Sequence, residues 1–565
     1  MARTTALRRA ALVVLAVALS ACSGVPDSGA VKDEKSLPLI AEADDVRVLA
    51  ESAHSGQSAV EVVRGFLRAA ASFDDDHAVA RTYLDSRASS SWQPSGAGVY
   101  GGGLDPQVTP VSSTPTTAVV SFVAPRVAEV TPDGTWNPSA PHALLRDRFA
   151  LVKRDGEWRI SDPPQSLRLT PGDIERSFRA VSVYFLSPNR DVVVPDHRYL
   201  PVERRALSTA LVRTLLAGPS RAVAGSVRTA VPAGTKLIGT APVVDGVVTV
   251  DLSRAVLDAD ARGLVELSAQ LVWTLRELGT EFTELRLLAE GAPLKVAGAS
   301  ATQHATAWAQ FDADEGADVA GYLDARGRLV RVGGGVFPGP VASGSLRLAT
   351  PALGPGAKAV AGIGSGPSLW AGPLTGPHRV ATALAFTGPS IDHSGRVWVV
   401  ERVRAGQRVV AFDNGARRAV ASPLPTSGVS ALRVSRDGTR VAVIVRGRLL
   451  VGRIEPAGTA LRIGALVTVA PELTQALDVS WVDGDELVVL ARGPATPRPV
   501  PWFVSADGYR VQQAPASGDV QTGYSAIAAG SGNAPLLVAD AANVYRYVAG
   551  RWTRIGRGSS PTYAG

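Results

Sequence analysis

Apolar residues follow several different spacings along the chain, and each spacing predicts a different kind of structure. Positions 10–19 are apolar without interruption, whereas residues 23 to about 48 are small, polar and charged, with no sustained period. From about residue 52, apolar side chains such as Val60, Val63 and Leu67 recur at helical spacing. Beyond residue 318, short apolar runs of strand length alternate with glycine turns. The pattern predicts a multidomain chain with α+β and all-β parts.

The segment 51–170 combines helices with strands. Residues 74–84 are predicted to form a second helix after the one that contains Val60. Strand-like stretches follow at 117–123, 143–153 and 157–160, the last directly after the turn Asp155-Gly156. Helices followed by a curved antiparallel sheet resemble the cone-shaped α+β domains of the NTF2-like kind.

The segment 171–305 alternates strands and helices. An apolar strand at 181–186 precedes a helix at about 202–216, which Gly218-Pro219 ends. Asp245-Gly246 stands between two apolar runs, a strong signal for a β-hairpin. A second helix carries five leucines, and a strand follows at 282–288. These leucines are Leu264, Leu267, Leu271, Leu275 and Leu278.

Three short motifs of this segment resemble the GerMN domain, first described in spore-germination proteins. They are P-x-G-T at 232–235, V-x-D-G-V-V-x-V-D-L-S at 243–253 and L-V-W-T-L at 271–275. The resemblance implies an α/β domain of that family. An unrelated α/β sandwich with an Asp-Gly turn is the alternative.

The last third of the chain repeats. A glycine turn before an apolar strand recurs at Gly395, Gly438 and Gly484, with spacings of 43 and 46 residues. Weaker copies lie at Gly327 and Gly508. A period near 40–50 residues with short strands is typical of four-stranded propeller blades. The segment 318–565 is therefore predicted to be a β-propeller of about five or six blades.

The single cysteine, Cys22, follows a basic, then apolar, then small-residue sequence that ends in Ala21. This is the pattern of a lipoprotein signal peptide at 1–21, cleaved between Ala21 and Cys22. Cys22 is predicted to become an S-diacylglycerol and N-palmitoyl cysteine, with residues 22–50 as a tether. A chance cysteine and an uncleaved membrane anchor are the alternatives, but ten apolar residues are half of the ~20 that span a bilayer. The mature protein is expected on the extracytoplasmic face of the cell membrane.

Amino-acid composition indicates the source of the protein, its class and the kind of partner to expect. Of 58 basic residues, 52 are arginine, a bias that indicates a GC-rich genome and an actinobacterial source. The net charge is +7, with no Lys/Arg-rich run, so binding to nucleic acid is not predicted. Charged residues make up 19% and hydrophobic residues 45%, which is typical of a globular chain.

The order of lipoprotein signal, GerMN-like middle and propeller-like end resembles the actinobacterial LpqB lipoprotein family over nearly the whole chain. In that family the protein is regarded as an accessory of the MtrAB two-component system. The resemblance therefore implies a partner, the extracellular domain of a sensor histidine kinase of the MtrB type, in cell-envelope and cell-division signalling.

Two apparent motifs have a plainer interpretation. The stretch Gly96–Gly101 matches G-x-G-x-x-G but lacks the flanking strand and helix of a dinucleotide site, so a flexible loop is expected. The acidic run Asp74-Asp75-Asp76 before His77 is interpreted as a helix cap rather than a cation site.

Other polar and aromatic residues allow both a structural and a functional interpretation. The seven histidines are never closer than fifteen residues, so no local metal spacing exists and surface or capping roles are expected. Asp251 and Ser253 are the candidate polar residues of the GerMN-like domain, or they cap the following helix. Four tryptophans either line a binding face of the propeller or pack between its blades. They are Trp398, Trp481, Trp502 and Trp552.

No nucleophile elbow and no phosphate-binding loop is present in the sequence. The prediction is a non-enzymatic binding protein, without cofactor or metal, that modulates a sensor kinase. The alternatives are an envelope glycan-processing hydrolase, which needs paired acids on converging loops, and a peptidoglycan-binding scaffold.

Overall fold

The computed structural model describes residues 51–101, 105–515, 523–548 and 550–565. The predictions for Ala21, Cys22, the signal peptide and the tether up to residue 50 lie outside these ranges. The described residues belong to one compact unit. Within them, no helix combines the length and the apolar character needed to cross a membrane.

The first domain packs short helices against a curved sheet. The helices are α1 (Ala59–Ala69), α2 (Ala78–Arg81) and α3 (Ser86–Ser91). The strands are β1 (Ala97–Tyr100), β2 (Gln107–Ser113), β3 (Thr117–Val130), β4 (Trp136–Pro138), β5 (Leu144–Arg154), β6 (Glu157–Asp162) and β7 (Leu167–Leu169). In the sheet they run in the order β6-β5-β3-β1-β7, and β2 and β4 also pair with β3.

Helix α1 shows why this layer forms. Ser58 caps it, because its hydroxyl accepts from the Glu61 backbone N–H while the Glu61 carboxylate accepts from the Ser58 N–H. The helix buries Val63 and Phe66, and Phe66 packs against Trp92 and Phe149. The apolar spacing seen in the sequence is therefore the face of α1 that covers the sheet.

Two local predictions for this domain are wrong. The predicted helix over residues 74–84 shortens to the four residues of α2, because Asp75, Asp76 and His77 all have positive φ, and their left-handed backbone does not continue a right-handed helix. The stretch 96–101, expected to be a flexible loop, contains strand β1, which pairs with β3 and β7.

The middle domain begins with helix α4 (Pro171–Ser177) and a two-stranded hairpin, β8 (Arg179–Leu186) and β9 (Val193–Leu200). Helices α5 (Leu207–Ala217) and α6 (Ala261–Leu275) pack against β8. The strands of its second sheet are β10 (Val243–Val244), β11 (Val247–Leu252), β12 (Glu284–Ala289), β13 (Ala292–Pro293) and β14 (Thr302–His304). Strands β11 and β12 pair in parallel, the other described strands of this sheet pair antiparallel, and β10 joins β11 through Asp245-Gly246.

Short 3₁₀ turns and one further helix complete the non-strand elements of the described residues. The turns are Arg204–Ala206, Arg254–Asp258, Arg276–Glu281, Ala309–Phe311 and Pro355–Ala357. Helix α7 is Pro340–Ser343.

Residues 320–563 form a β-propeller that the described strands build from six sheets, of which the third and the fourth also pair with each other through their outer strands. The first sheet contains β15 (Ala320–Asp324) and β16 (Leu329–Arg331), and the second contains β17 (Ala349–Leu353), β18 (Ala359–Gly364), β19 (Ser368–Pro373) and β20 (His378–Thr382). The third contains β21 (Ala385–Phe386), β22 (Ser390–Ile391), β23 (Val397–Val403), β24 (Gly406–Asp413) and β25 (Ala416–Ala421), and the fourth contains β26 (Val429–Val434), β27 (Arg440–Val445), β28 (Arg448–Ala457), β29 (Ala460–Ile463) and β30 (Val467–Thr468). The fifth contains β31 (Thr474–Trp481), β32 (Glu486–Arg492), β33 (Val500–Ser505) and β34 (Val511–Gln513). The last contains β35 (Ala526–Ala528), β36 (Leu537–Ala539), β37 (Asn543–Val548) and β38 (Arg551–Tyr563).

The last strand closes the ring. The first half of β38 pairs with β37, and its second half pairs with β15 as the inner strand of the first sheet. Separate apolar cores lie between successive sheets, and the core that contains Ala320, Leu537 and Tyr563 joins the last sheet to the first. Closure leaves each sheet covered by two neighbours, which is how a propeller protects its strand edges.

Candidate functional site: the junction of the hairpin and the propeller

The β8–β9 hairpin is the element that joins the domains. Its register places Val183 opposite Asp196 on one face and Ser182 opposite His197 on the other, because side chains alternate along a strand. The first face packs on the core of the middle domain, where Val183 is fully buried. The second face contacts the propeller.

The contacted surface of the propeller, here called the docked face, consists of four connections between strands. They are residues 392–396, 435–439, 482–485 and 506–510. Strands are counted outwards from the centre of the ring, with the second half of β38 as the first strand of the first sheet and β21 and β22 together as the first strand of the third sheet. Each of the four connections then leads from the first to the second strand of a sheet or from the third to the fourth. Arg440 donates to the backbone oxygens of both Pro195 and Gly484. Gly484 therefore lies directly against the hairpin.

A cluster of titratable side chains fills the centre of this contact. Ser182 donates to Asp485 Oδ2 at 2.9 Å, and His197 Nδ1 lies 3.4 Å from the same oxygen. Ser182 Oγ is also 3.2 Å from His197 Nδ1. The junction cluster comprises these residues together with Asp483 and with Glu277, whose charge acts on both Asp485 and His197.

The charges of the junction cluster shift the pKa of its members in different directions. Burial opposes a charge on His197, but the hydrogen bond and the negative charge of Asp485 outweigh it and raise the pKa of His197 to about 9. Burial also acts to raise the pKa of Asp485, yet its hydrogen bond to His197 and the imidazolium charge hold that pKa below its usual range. An ion pair between His197 and Asp485 therefore forms across neutral pH.

The two other acids favour the protonated form. Burial, reinforced by the charge of Asp485, raises the pKa of Asp483 well above its usual range. Burial and the same charge raise the pKa of Glu277 to about 7. The junction cluster can hold several carboxyl groups in a partly buried site, because some of them are protonated and carry no charge.

The Ser182, His197 and Asp485 side chains are not arranged as a catalytic triad. In such a triad the acid contacts one ring nitrogen of histidine and the nucleophile contacts the other. Here both Ser182 and Asp485 approach Nδ1, and the Ser182 hydroxyl donates to the carboxylate. This geometry orients the histidine and fastens the hairpin, but it does not activate the serine.

Aromatic side chains extend the junction to the first domain. The ring centroid of Trp136, from β4, lies 4.8 Å from that of Tyr509 and 5.8 Å from that of Tyr199. Tyr199 donates to Asp507 at 2.9 Å. One aromatic cluster thus joins the first domain, the hairpin and the propeller, and edge-to-face pairs of this kind add to the stabilisation from burial.

Two cavities adjoin these contacts. One, of about 280 Å³, lies between the hairpin turn 187–191 and the docked face. Its acid Asp392 accepts from Trp398 Nε1 at 2.9 Å and pairs with Arg396. The other, of about 110 Å³, lies in the central channel, where Arg436 donates to Asp314 and to backbone oxygens.

The tryptophans serve packing. Trp398, Trp481 and Trp552 are almost fully buried, and Trp481 donates to the Arg433 carbonyl. Trp502 donates to the Ala491 carbonyl on the neighbouring strand. They therefore lie inside and between the blades, which was one of the two interpretations of the sequence.

The two candidate polar residues of the GerMN-like domain, Asp251 and Ser253, make structural hydrogen bonds. Asp251 accepts from the Gly291 N–H at 3.0 Å, and Ser253 accepts from the Lys236 N–H at 3.0 Å. Ser253 precedes a 3₁₀ turn without capping it through its side chain. Both residues tie neighbouring loops to β11.

The expected roles of two histidines are wrong. His77 is buried beside Phe73 and Trp92 and does not cap α2 with its side chain, and the acids before it do not cap this helix either. His197 lies in the junction cluster rather than on the surface. Among the described residues, no three His, Cys, Asp or Glu side chains are grouped as metal ligands.

No local pattern in the sequence marks the residues of the junction cluster. Ser182 and Asp485 are 303 positions apart, and β9 carries Pro195, Asp196 and His197 in succession. Such a run does not match the alternation of a half-buried strand. Strand β9 could not be recognised from the sequence, because a strand with a buried polar face lacks the expected alternation of apolar and polar residues.

Family models match the three domains. A model described as "Lipoprotein LpqB, N-terminal domain" matches residues 52–175, and one described as "Sporulation and spore germination" matches 182–295. The model "Lipoprotein LpqB beta-propeller domain" matches 327–564. The predicted fold class, an α+β domain, a GerMN-like domain and a β-propeller, is confirmed.

Solved structures are similar to parts of this chain. Tandem GerMN domains of the sporulation protein GerM from Bacillus subtilis are 21% identical and cover 23% of this chain and 45% of theirs, with a TM-score of 0.20. TolB from Acinetobacter baumannii is 12% identical and covers 44% of this chain and 66% of its own, with a TM-score of 0.32.

Curated relatives match over most of the chain. The Lipoprotein LpqB of Thermobifida fusca is 29% identical over 85% of this chain and 86% of its own length. The Lipoprotein LpqB of Mycobacterium tuberculosis is 27% identical over 93% of this chain and 92% of its own length. With two domain models of that family matching on either side of the GerMN-like domain, the chain belongs to the LpqB lipoprotein family.

Proposed function

We propose that this protein is a non-enzymatic accessory of a sensor histidine kinase of the MtrB type. In this proposal acylated Cys22 holds it on the extracytoplasmic face of the cell membrane, and its described domains bind the extracellular domain of the kinase. Binding changes the output of the kinase without chemical turnover.

The junction carries the proposal. Its polar side chains are engaged with one another across domains, so their chemistry is used to hold three domains in one arrangement. A fixed arrangement presents a composite surface at low entropic cost, which favours binding over a transient chemical role. Membership of a lipoprotein family supports the anchor, and anchoring raises the effective concentration of a partner in the same membrane.

The test compares kinase output in cells that carry the wild-type protein, Cys22→Ala or Asp485→Asn. Loss of the anchor is expected to reduce the effect on the kinase while leaving the affinity for the isolated sensor domain unchanged. Weakening the junction is expected to reduce both. Unchanged output in both variants, with no affinity of the wild-type protein for the sensor domain, would show that the proposed role is wrong.

A further inference from the structure

The charge of the chain is unevenly distributed. Residues 318–565 contain 26 basic and 15 acidic residues, a formal charge of +11, although the whole chain carries only +7. The part before residue 318 therefore has a formal charge of −4. Because of this asymmetry, the propeller is the part of the chain that attracts negatively charged partners.

The strand order places much of this positive charge on one side of the ring. Connections from the second to the third strand of a sheet, and from one sheet to the next, emerge opposite the docked face. This side is here called the free face. Eight exposed arginines lie on these connections or at the strand ends beside them. They are Arg326, Arg347, Arg402, Arg404, Arg446, Arg448, Arg492 and Arg498.

These arginines keep their charge uncompensated. Among the described residues none of the eight is within ion-pair distance of an acid, and Asp324 on the same side is already paired with Arg328 at 2.7 Å. On the docked face Arg436 pairs with Asp314, and Arg440 binds backbone oxygens of the hairpin and of the connection that contains Gly484. On the free face Arg448 and Arg492 also bind backbone oxygens, but none of the eight charges is neutralised by an acid of the described residues. The free face thus presents a group of positive charges to a partner.

Apolar side chains accompany the charge. Leu384 is 59% exposed, and its N–H donates to the carbonyl of Arg402. Leu477 is 46% exposed and lies in β31, which pairs with β32 at Thr474 and Arg492. Arginine together with scattered apolar anchors is the composition of protein interfaces.

The free face is open to a partner. The first domain contacts the propeller on the docked face through Trp136 and Tyr509. The free face lies on the other side of the ring and takes no part in this contact. Its arginines lie beside the exposed apolar side chains Leu384 and Leu477, a combination that favours a protein surface over a layer of lipid headgroups.

We propose that the free face of the propeller docks on an acidic surface of a folded protein, with its arginines pairing with carboxylates. This inference rests on the proposed function, in which that protein is the extracellular domain of the sensor kinase. Charge pairing of this kind speeds association and weakens as salt is added.

The test reverses charge on the free face and, separately, elsewhere on the propeller. The free-face variant is Arg326→Glu, Arg347→Glu, Arg404→Glu and Arg498→Glu. The control is Arg379→Glu, Arg546→Glu, Arg551→Glu and Arg554→Glu, four exposed arginines on the third or fourth strand of a sheet that also lack an acidic partner among the described residues. Both variants change the net charge equally, and thermal melting verifies that both fold.

Affinity for the purified sensor domain is measured by calorimetry with the non-acylated full chain. The free-face variant is expected to bind about 100-fold more weakly, and the control within about twofold of wild type. Equal binding by all three proteins, or equal loss in both variants, overturns the free-face assignment and leaves the proposed function intact. No binding by the wild-type protein overturns the proposed function and this partner with it.

Two further measurements, vesicle binding and sedimentation, show whether something other than the sensor domain binds the free face. If the free-face variant keeps its affinity for the sensor domain but no longer binds vesicles of phosphatidylglycerol, the occupant is an anionic membrane and the proposal is wrong. If sedimentation shows that wild-type self-association is lost in this variant, with sensor binding unchanged, the occupant is a second copy, which also overturns it.

Discussion

His197 and Asp485 are the residues on which the junction depends most directly. Their side chains approach to 3.4 Å across two domains, and Ser182 donates to the same carboxylate oxygen. Removing one member of such a pair leaves the other without its partner, and this costs more than the pair itself contributes.

Asp485→Asn is therefore expected to lower the free energy of unfolding by about 1–3 kcal/mol, the range for a hydrogen-bonded partner lost from a partly buried site. Asp155→Asn, in an exposed hairpin turn, is the matched control and is expected to change little. Denaturant unfolding of both variants measures the difference. Equal stability of the two would contradict the role of the pair.

The junction cluster also predicts how stability depends on pH. The folded-state pKa of His197 is about 9 against 6.5, so its contribution is complete below 6.5 and is lost as pH rises towards 9. The folded-state pKa of Glu277 is about 7 against 4.5, so folding is favoured by its proton and weakens as pH rises from 4.5 to 7.

The melting temperature is thus expected to fall between about pH 5 and about pH 9. Glu277→Gln should flatten the part of this slope below about pH 7 and leave the part above it, which belongs to His197. Melting curves at closely spaced pH values measure both parts. A slope of opposite sign in the wild-type protein would show that these protonation states are wrong.

At the scale of elements, the hairpin depends on a close approach at Gly484. A Cβ atom at this position would lie 2.7 Å from Pro195 Cγ and 3.2 Å from Asp437 Oδ2. Gly484→Ala should therefore push the hairpin off the propeller and destabilise the chain by about 1–3 kcal/mol. Gly376→Ala, where no atom lies within 4 Å, is the control.

Limited proteolysis of the segment 305–318 reports this separation directly. Faster cleavage in Gly484→Ala than in Gly376→Ala is expected, because the segment is held by Asp314 against Arg436. Identical cleavage rates would mean that the hairpin and the propeller separate independently of this contact.

Ring closure gives a second prediction at this scale. Deleting residues 558–565 removes the half of β38 that pairs with β15, and so opens the edges of the first and last sheets. The truncated chain is expected to lose its single cooperative melting transition and to aggregate. Calorimetry and light scattering test this. A dispersed protein with the melting profile of the intact chain would contradict closure by β38.

Elements were predictable from the sequence where one apolar face repeats. Helix α1 and the turn at Asp245-Gly246 follow directly from helical spacing and from the preference for positive φ at both residues, 50° and 78°. Residues 74–84 did not follow, because three left-handed residues replace the expected first turn. Strand β9 was missed because its polar residues are buried by contacts with distant parts of the chain.

At the scale of the whole molecule, domain order was predictable but domain docking was not. The spacing of Gly395, Gly438 and Gly484 indicated a propeller, in which equivalent turns of successive blades lie on one side of the ring. It carried no information that the hairpin docks on that side. The uneven charge was countable in the sequence, but only the strand order places eight arginines on the free face.

The protein is proposed to act by binding a sensor domain, and calorimetric titration of the non-acylated full chain with that purified domain measures this binding itself. Saturable one-to-one binding is predicted, weaker at high salt because the free face is positively charged. No heat of binding with the sensor domain at up to about 100 μM, a concentration that detects weak complexes, would contradict the claim.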